Sequence, residues 1–298
     1  MLFTPIRSGL ASLLALASCA VAQNVKAIYL FKDVMQSDTH ALKTSGFDTV
    51  LLFRIGILPN ADLVYYSTGS DGNPVDWPVV TNGSYVGGQA LTDKITSLKT
   101  APTLIERVEV SLVSHDTTFQ VIRDRIAADG TGASTPLYRA FDVLKQTWEL
   151  DAFNNDDESV YHVPSTVDFA QMLGLMGYKY STAPYTNMNF WADVQNRINA
   201  SVPGLLDRHY LQVYDGGAAN NPGTWQTRLG MKIVPLLWVN NDYKPDHGNT
   251  PAQAQTRFAN WNSQYNLAGG GYWNDYDIEK LNSSYEGYGG ALTSVFGQ

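Results

Sequence analysis

The sequence has almost no thiol chemistry to offer: it holds one cysteine, Cys19, in 298 residues. That residue falls within an N-terminal stretch laid out as an export signal. Arg7 supplies the positive charge, Leu10 and its neighbours a short apolar run, and Ala20-Val21-Ala22 a small-residue cleavage site before Gln23. Loss of residues 1–22 as a signal peptide leaves a mature chain, 23–298, with no thiol. Disulfides, cysteine nucleophiles and zinc–thiolate sites are then excluded together. The apolar run is shorter than the ~20 residues a bilayer span needs, and no later run is long and apolar enough. The expected setting is secreted and extracellular, with no membrane partner.

Other machinery is missing too. The five histidines, His40, His115, His162, His209 and His247, show no H-E-x-x-H spacing. No G-x-S-x-G nucleophile elbow occurs, and Gly269-Gly270-Gly271 lacks the lysine of a phosphate-binding loop. No metal and no organic cofactor is expected. Positive charge is also scarce: 20 Lys and Arg against 28 Asp and Glu give a net charge of -8, which disfavours nucleic acid as a partner.

The chain is rich in apolar and aromatic residues, 44% and 12%, enough for a sizeable core and for a cleft lined with ring faces. Short β-branched and aromatic runs at 25–31, 48–53, 107–113, 149–156, 179–184, 208–214, 232–238 and 270–274 predict strands, several of them apolar on both faces. Between them, apolar residues recur at helical spacing: Phe119, Ile122 and Ile126; Leu137, Phe141 and Leu144; Phe169, Met172, Leu173 and Met176; Phe190, Val194 and Ile198; Ala254, Phe258 and Trp261. Pro164 near the start and Gly177 past the end bracket the third of these helices. Eight strands alternating with helices indicate an α/β fold, a (β/α)8 TIM barrel, in a single domain with no linker or repeat. One region breaks the rhythm: runs at 63–66 and 78–86 flank a turn-rich segment and predict a β-hairpin inserted after the second strand. Asn82, Asn199 and Asn282 each head an N-glycosylation triplet.

The chemistry concentrates at the end of the fourth predicted strand, in Asp151-Ala152-Phe153-Asn154-Asn155-Asp156-Asp157-Glu158. Barrels present their reactive groups at strand C-termini. Strand alternation puts Asn154, Asp156 and Glu158 on one face, with Asn155 and Asp157 on the other. Two carboxylates so close raise one another's pKa values, which keeps one acid protonated near neutrality. A proton donor beside a charged carboxylate is what glycosidic cleavage requires. A solvated acidic loop is the plain alternative; a calcium loop of EF-hand type lacks its glycine here.

The segment resembles the D-x-x-D-x-D-x-E motif of glycoside hydrolase family 18, the chitinases and endo-β-N-acetylglucosaminidases. Asp151, Asn154, Asp156 and Glu158 occupy its positions, with Asn154 in place of one Asp. Tyr210-Leu211-Gln212-Val213-Tyr214-Asp215 resembles the family's sixth-strand motif, and Gly270-Gly271-Tyr272-Trp273-Asn274-Asp275 the eighth strand, which carries a tryptophan under the sugar. Ser111 and Ser114 match the third-strand motif only weakly, since its glycines are missing.

The resemblance implies substrate-assisted retaining hydrolysis of a β-1,4-linked N-acetylglucosamine glycan, an oligo- or polysaccharide or an N-glycan, by a monomer. Glu158 is then the proton donor, Asp156 orients the 2-acetamido group, and Tyr214 hydrogen-bonds its oxygen. Asn154, Asp151, Gln212, Asp215, Trp273 and Tyr185 are the expected sugar contacts. The Asp-Asp-Glu ending and the hairpin favour the endo-β-N-acetylglucosaminidase branch. Asn154 can hydrogen-bond Asp156 but cannot take its proton, so Asp156 is expected to ionise more readily, Glu158 to be less raised, and the pH–rate profile to shift toward acid. The same substitution leaves an inactive, chitinase-like carbohydrate-binding protein as the competing class. Trp191, Trp225 and Trp238 could line sugar subsites, with core packing the better expectation for any one of them.

Overall fold

A computed structural model describes residues 24–68, 73–112 and 117–297. The export signal with Arg7 and Cys19, the hairpin tip at 69–72, and Ser114 and His115 lie outside the described residues. In chain order, β1 (Val25–Leu30) leads through α1 (Thr39–Thr44) to β2 (Thr49–Ile57). An insertion follows, β3 (Leu63–Thr68), β4 (Pro74–Thr81) and β5 (Ser84–Tyr85), then α2 (Gln89–Thr96) and β6 (Arg107–Leu112). Helices α3 (Thr118–Asp129) and α4 (Pro136–Trp148) precede β7 (Ala152–Asn155). The remaining units are α5 (Val163–Leu175), β8 (Lys179–Thr182), α6 (Met188–Ser201), β9 (Leu206–Gln212), α7 (Pro222–Leu229), β10 (Val234–Trp238), α8 (Pro251–Tyr265), β11 (Gly269–Trp273), α9 (Asp275–Lys280) and α10 (Tyr285–Phe296).

Eight strands, β1, β2 and β6 to β11, pair in parallel with their neighbours. Because β1 bonds both β2 and β11, the sheet closes into a barrel. This is the (β/α)8 architecture that the alternating runs indicate. Strand alternation divides the core in two. Ala27, Tyr29, Leu51 and Leu236 point into the barrel, while Ile28, Leu30, Leu52 and Leu237 pack outward against the helices. Phe153 on β7 meets Phe141 of α4, Phe169 of α5 and Tyr180 of β8 at ring separations of 5.5, 5.2 and 5.8 Å, so β7 is anchored from the helical side. The glycines that open β11 serve packing. A Cβ on Gly271 would lie 2.9 Å from the Ala27 carbonyl oxygen and 2.8 Å from Leu236, so only glycine lets β1 and β10 approach closely enough to close the barrel.

Two details differ from the sequence reading. The run 78–86 is not one strand, because Asn82 and Gly83 adopt positive φ (51° and 71°) and turn the chain between β4 and β5. The insertion is therefore three antiparallel strands bonded to an extended β2. The fourth barrel strand also ends at Asn155, ahead of the expected 156. The Asp157 carboxylate accepts the backbone N–H groups of Ser159, Val160 and Tyr161 at 2.8–2.9 Å and turns the chain out of the ladder. Asp156 and Glu158 are thus held in a loop anchored by Asp157. No helix among the described residues is long and apolar enough to cross a membrane.

Candidate active site

A cleft of about 310 Å³ opens at the C-terminal ends of the barrel strands, with Asp156, Glu158, Gln212, Tyr214 and Trp273 in its wall. At its base one nitrogen ties the two carboxylates together: Gln212 Nε2 donates to Asp156 Oδ1 at 3.0 Å and to Glu158 Oε1 at 3.2 Å. The same nitrogen reaches the Ala183 carbonyl at 2.9 Å, which fixes the amide against β8. Asp156 is buried and Glu158 is half-buried. Burial first, then the charges of Glu158 and Asp157, push the Asp156 carboxyl well above the usual carboxylate range, while the Gln212 bond opposes this.

Tyr214 stands just past β9. Burial, then Asp156 and Glu158, raise its phenol, so it stays a hydrogen-bond donor. Its ring packs 6.0 Å from Trp238. Trp273, at the end of β11, is braced by Phe53, Phe31 and Tyr29 at 4.9, 5.2 and 5.4 Å. Tyr185 also borders the cleft; burial and the Glu158 charge raise its phenol. Asp215 lies at the exposed rim, paired with Lys244 at 2.5 Å.

Two of the expected contacts are placed elsewhere. Asp151 precedes β7, at the opposite end of the barrel, where it accepts the Val108 N–H at 2.8 Å and pairs with Lys99 at 3.0 Å. Its position at the strand entrance separates it from the cleft by the length of β7. Asn154 is fully buried beneath the cleft. Its Oδ1 accepts from Tyr29 at 2.8 Å and Ser111 at 2.9 Å, and its Nδ2 donates to Ser181 at 2.9 Å. The expected bond from Asn154 to Asp156 is not formed; the amide's bonds run instead to three barrel-interior hydroxyls. Burial is the largest cause of the upward displacement of Asp156.

Several lining residues escaped the sequence reading. Phe31, just past β1, and Phe53 and Arg54, in the middle of β2, line the cleft, and Trp238, 8% exposed, offers it one edge while donating to Asp277 at 2.8 Å. Phe31 and Phe53 close their predicted strands, so the rule that barrel strands end in the cleft could have found them. Trp191 and Trp225 are core. His162 caps α5, and His209 is buried between Thr182 and Gln195, which lowers it to about 3. Among the described residues no acidic or histidine cluster could hold a metal ion.

No protein-family model matches the sequence, and no curated protein does. Solved structures do. The catalytic domain of a glycoside hydrolase family 18 chitinase from the fern Peteris ryukyuensis aligns with a TM-score of 0.61 at 13% identity, over 92% of this chain and 100% of that one. A chitinase from Chromobacterium violaceum aligns at 0.57 and 11% identity, covering 92% and 99%. A class V chitinase from Nicotiana tobaccum, in complex with NAG4, aligns at 0.57 and 9%, covering 93% and 99%. The chain therefore shares the (β/α)8 fold of family 18 chitinases.

Proposed function

We propose that the protein is a glycoside hydrolase that cleaves β-1,4-linked N-acetylglucosamine glycans, chitin-like or of the N-glycan core, by a substrate-assisted, retaining route. The observation that carries the reading is the single donor, Gln212 Nε2, shared by the buried Asp156 and the half-buried Glu158 at 3.0 and 3.2 Å. It holds a raised acid beside a more accessible one, at the depth where a scissile bond would rest on Trp273. Glu158 passes its proton to the leaving glycosidic oxygen as the C1–O bond breaks. The substrate's acetamido oxygen bonds to C1, giving an oxazolinium ion. Asp156 faces the acetamido N–H, and Tyr214 donates to the carbonyl side. Glu158 then takes a proton from water as that water opens the ion with retained configuration. Support also comes from the shared chitinase fold. Export fits the charge and apolar pattern at residues 1–22.

Mass spectrometry of products tests this. Wild type and Glu158→Gln are incubated with chitin oligosaccharides and with a high-mannose glycoprotein. Cleavage by the wild type alone is expected, and the substrate consumed distinguishes the two branches. A second reading, a sugar-binding protein on a silent scaffold, is favoured by the uncharged Asn154. It prevails if neither substrate is cut while oligosaccharide binding persists.

A further inference from the structure

The cleft contains one cation whose bonds are unspent. Arg54, half-buried on β2, lines the same cavity as Asp156 and Glu158. Among the described residues no carboxylate pairs with it and no hydrogen bond occupies its guanidinium; its contacts are ring faces. The guanidinium lies 4.7 Å from the centre of the Tyr66 ring and 5.6 Å from that of Phe53. Two other half-buried arginines are spent within the fold: Arg107 engages Glu109 and Asp207, and Arg208 bonds Thr49 and Tyr210. The cleft's rim cation, Lys244, is likewise committed to Asp215.

The Arg54 platform is built into the sheet. Tyr66 faces Arg54 one step beyond the Ile55–Tyr65 pair of the β2/β3 ladder. Gly56 leaves room for the ring, since a Cβ there would lie 2.7 Å from the Tyr66 hydroxyl and 3.0 Å from the ring carbons. The inserted hairpin thus sets an aromatic ring beside the guanidinium of a residue that lines the cavity.

We propose that Arg54 binds a carboxylate carried by the glycan, so that the preferred substrate is an N-acetylglucosamine polymer with acidic sugars in it. The proposal rests on the hydrolase reading for its substrate class and adds the charge. A planar guanidinium fork matches two carboxylate oxygens. A carboxylate also brings one negative charge, where a phosphate monoester brings nearly two, which matters beside Asp156 and Glu158. Two sources share this chemistry, a lactyl-ether sugar of muramic type and a hexuronic acid.

Titration calorimetry on Glu158→Gln protein separates charge recognition from turnover. Three tetrasaccharides are compared: N-acetylglucosamine throughout, alternating with muramic-type sugars, and alternating with hexuronic acid. The expected result is at least one acidic ligand bound about tenfold or more tighter than the neutral one, by a margin that shrinks with salt. Adding Arg54→Met should erase that margin and Arg54→Lys should restore part of it, with thermal melts confirming folded protein. Equal affinity for acidic and neutral ligands, or an equal loss for both in Arg54→Met, overturns the proposal. Failure of the hydrolase reading would show elsewhere, as absence of Glu158-dependent cleavage by the wild type on any of the three ligands.

Discussion

Asn154 donates its amide N–H to the Ser181 hydroxyl at 2.9 Å, and Ser181 in turn donates to the buried Glu109 carboxylate. The Ser181 hydrogen is therefore committed downward, into the barrel, and the position above it must supply a donor. Asparagine does so and aspartate does not.

Asn154→Asp should consequently cost stability and shift the reaction. The new carboxylate would oppose an oxygen with no free hydrogen, a loss of about 1–3 kcal/mol in denaturant unfolding. Its charge would also lie close below Asp156, already raised by burial, and raise it further. The acidic limb of the pH–rate profile should move up by roughly one unit. An unmoved limb would mean that the charge at 154 does not reach the pair.

Gln212 offers a cleaner test, because its bond is the one contribution that lowers Asp156. Gln212→Met keeps the volume and removes the donor. Asp156 should hold its proton to higher pH, shifting the profile alkaline, and turnover should fall by about 10- to 100-fold. A fall in turnover with no pH shift would show that Gln212 only positions the loop.

The barrel was legible in the sequence because each strand is a short apolar run and each helix repeats its apolar residues every three or four positions. Asp156 and Glu158 stood out as carboxylates collected at a strand end, and Tyr214 through the resemblance of its strand to the family's sixth-strand motif. What the sequence could not show is where a strand stops hydrogen bonding. Asp157 ends β7 through its side chain, and an aspartate in a loop looks the same whether it caps a turn or serves catalysis. Asp151 was misplaced for a related reason: motif spacing fixes order along the chain, not which end of the strand faces the cleft. Arg54 escaped because its partner ring, Tyr66, comes from the inserted hairpin, a contact invisible to periodicity.

Asp275 links stability to pH. Its Oδ1 accepts the backbone N–H groups of Phe31 and Lys32 at 2.7 and 2.9 Å, and its Oδ2 accepts from Ser37 at 2.8 Å. Burial nevertheless dominates and pushes the carboxyl up to about 7. Because the folded state favours the neutral acid, its contribution is complete below about pH 4 and is lost as pH rises through about 7. The wild type should lose on the order of 4 kcal/mol, as an upper bound, across that window from this group. In Asp275→Asn that share of the slope should vanish in unfolding titrations run from pH 4 to 8. An identical slope in both proteins would assign the dependence to other groups.

Tyr214 is the residue for which ground-state binding and transition-state stabilisation separate most clearly. Burial and the neighbouring carboxylates keep its phenol protonated, so its hydroxyl can donate throughout the working range. Tyr214→Phe retains the packing against Trp238 at 6.0 Å and removes only the donor. If the hydroxyl stabilises the acetamido oxygen as it attacks, kcat should fall by roughly 10²-fold with little change in KM. The pH profile should keep its shape, because Tyr214 does not itself titrate there. A rise in KM at constant kcat would instead make the hydroxyl a ground-state sugar contact, leaving the attacking acetamide to be oriented by Asp156 alone.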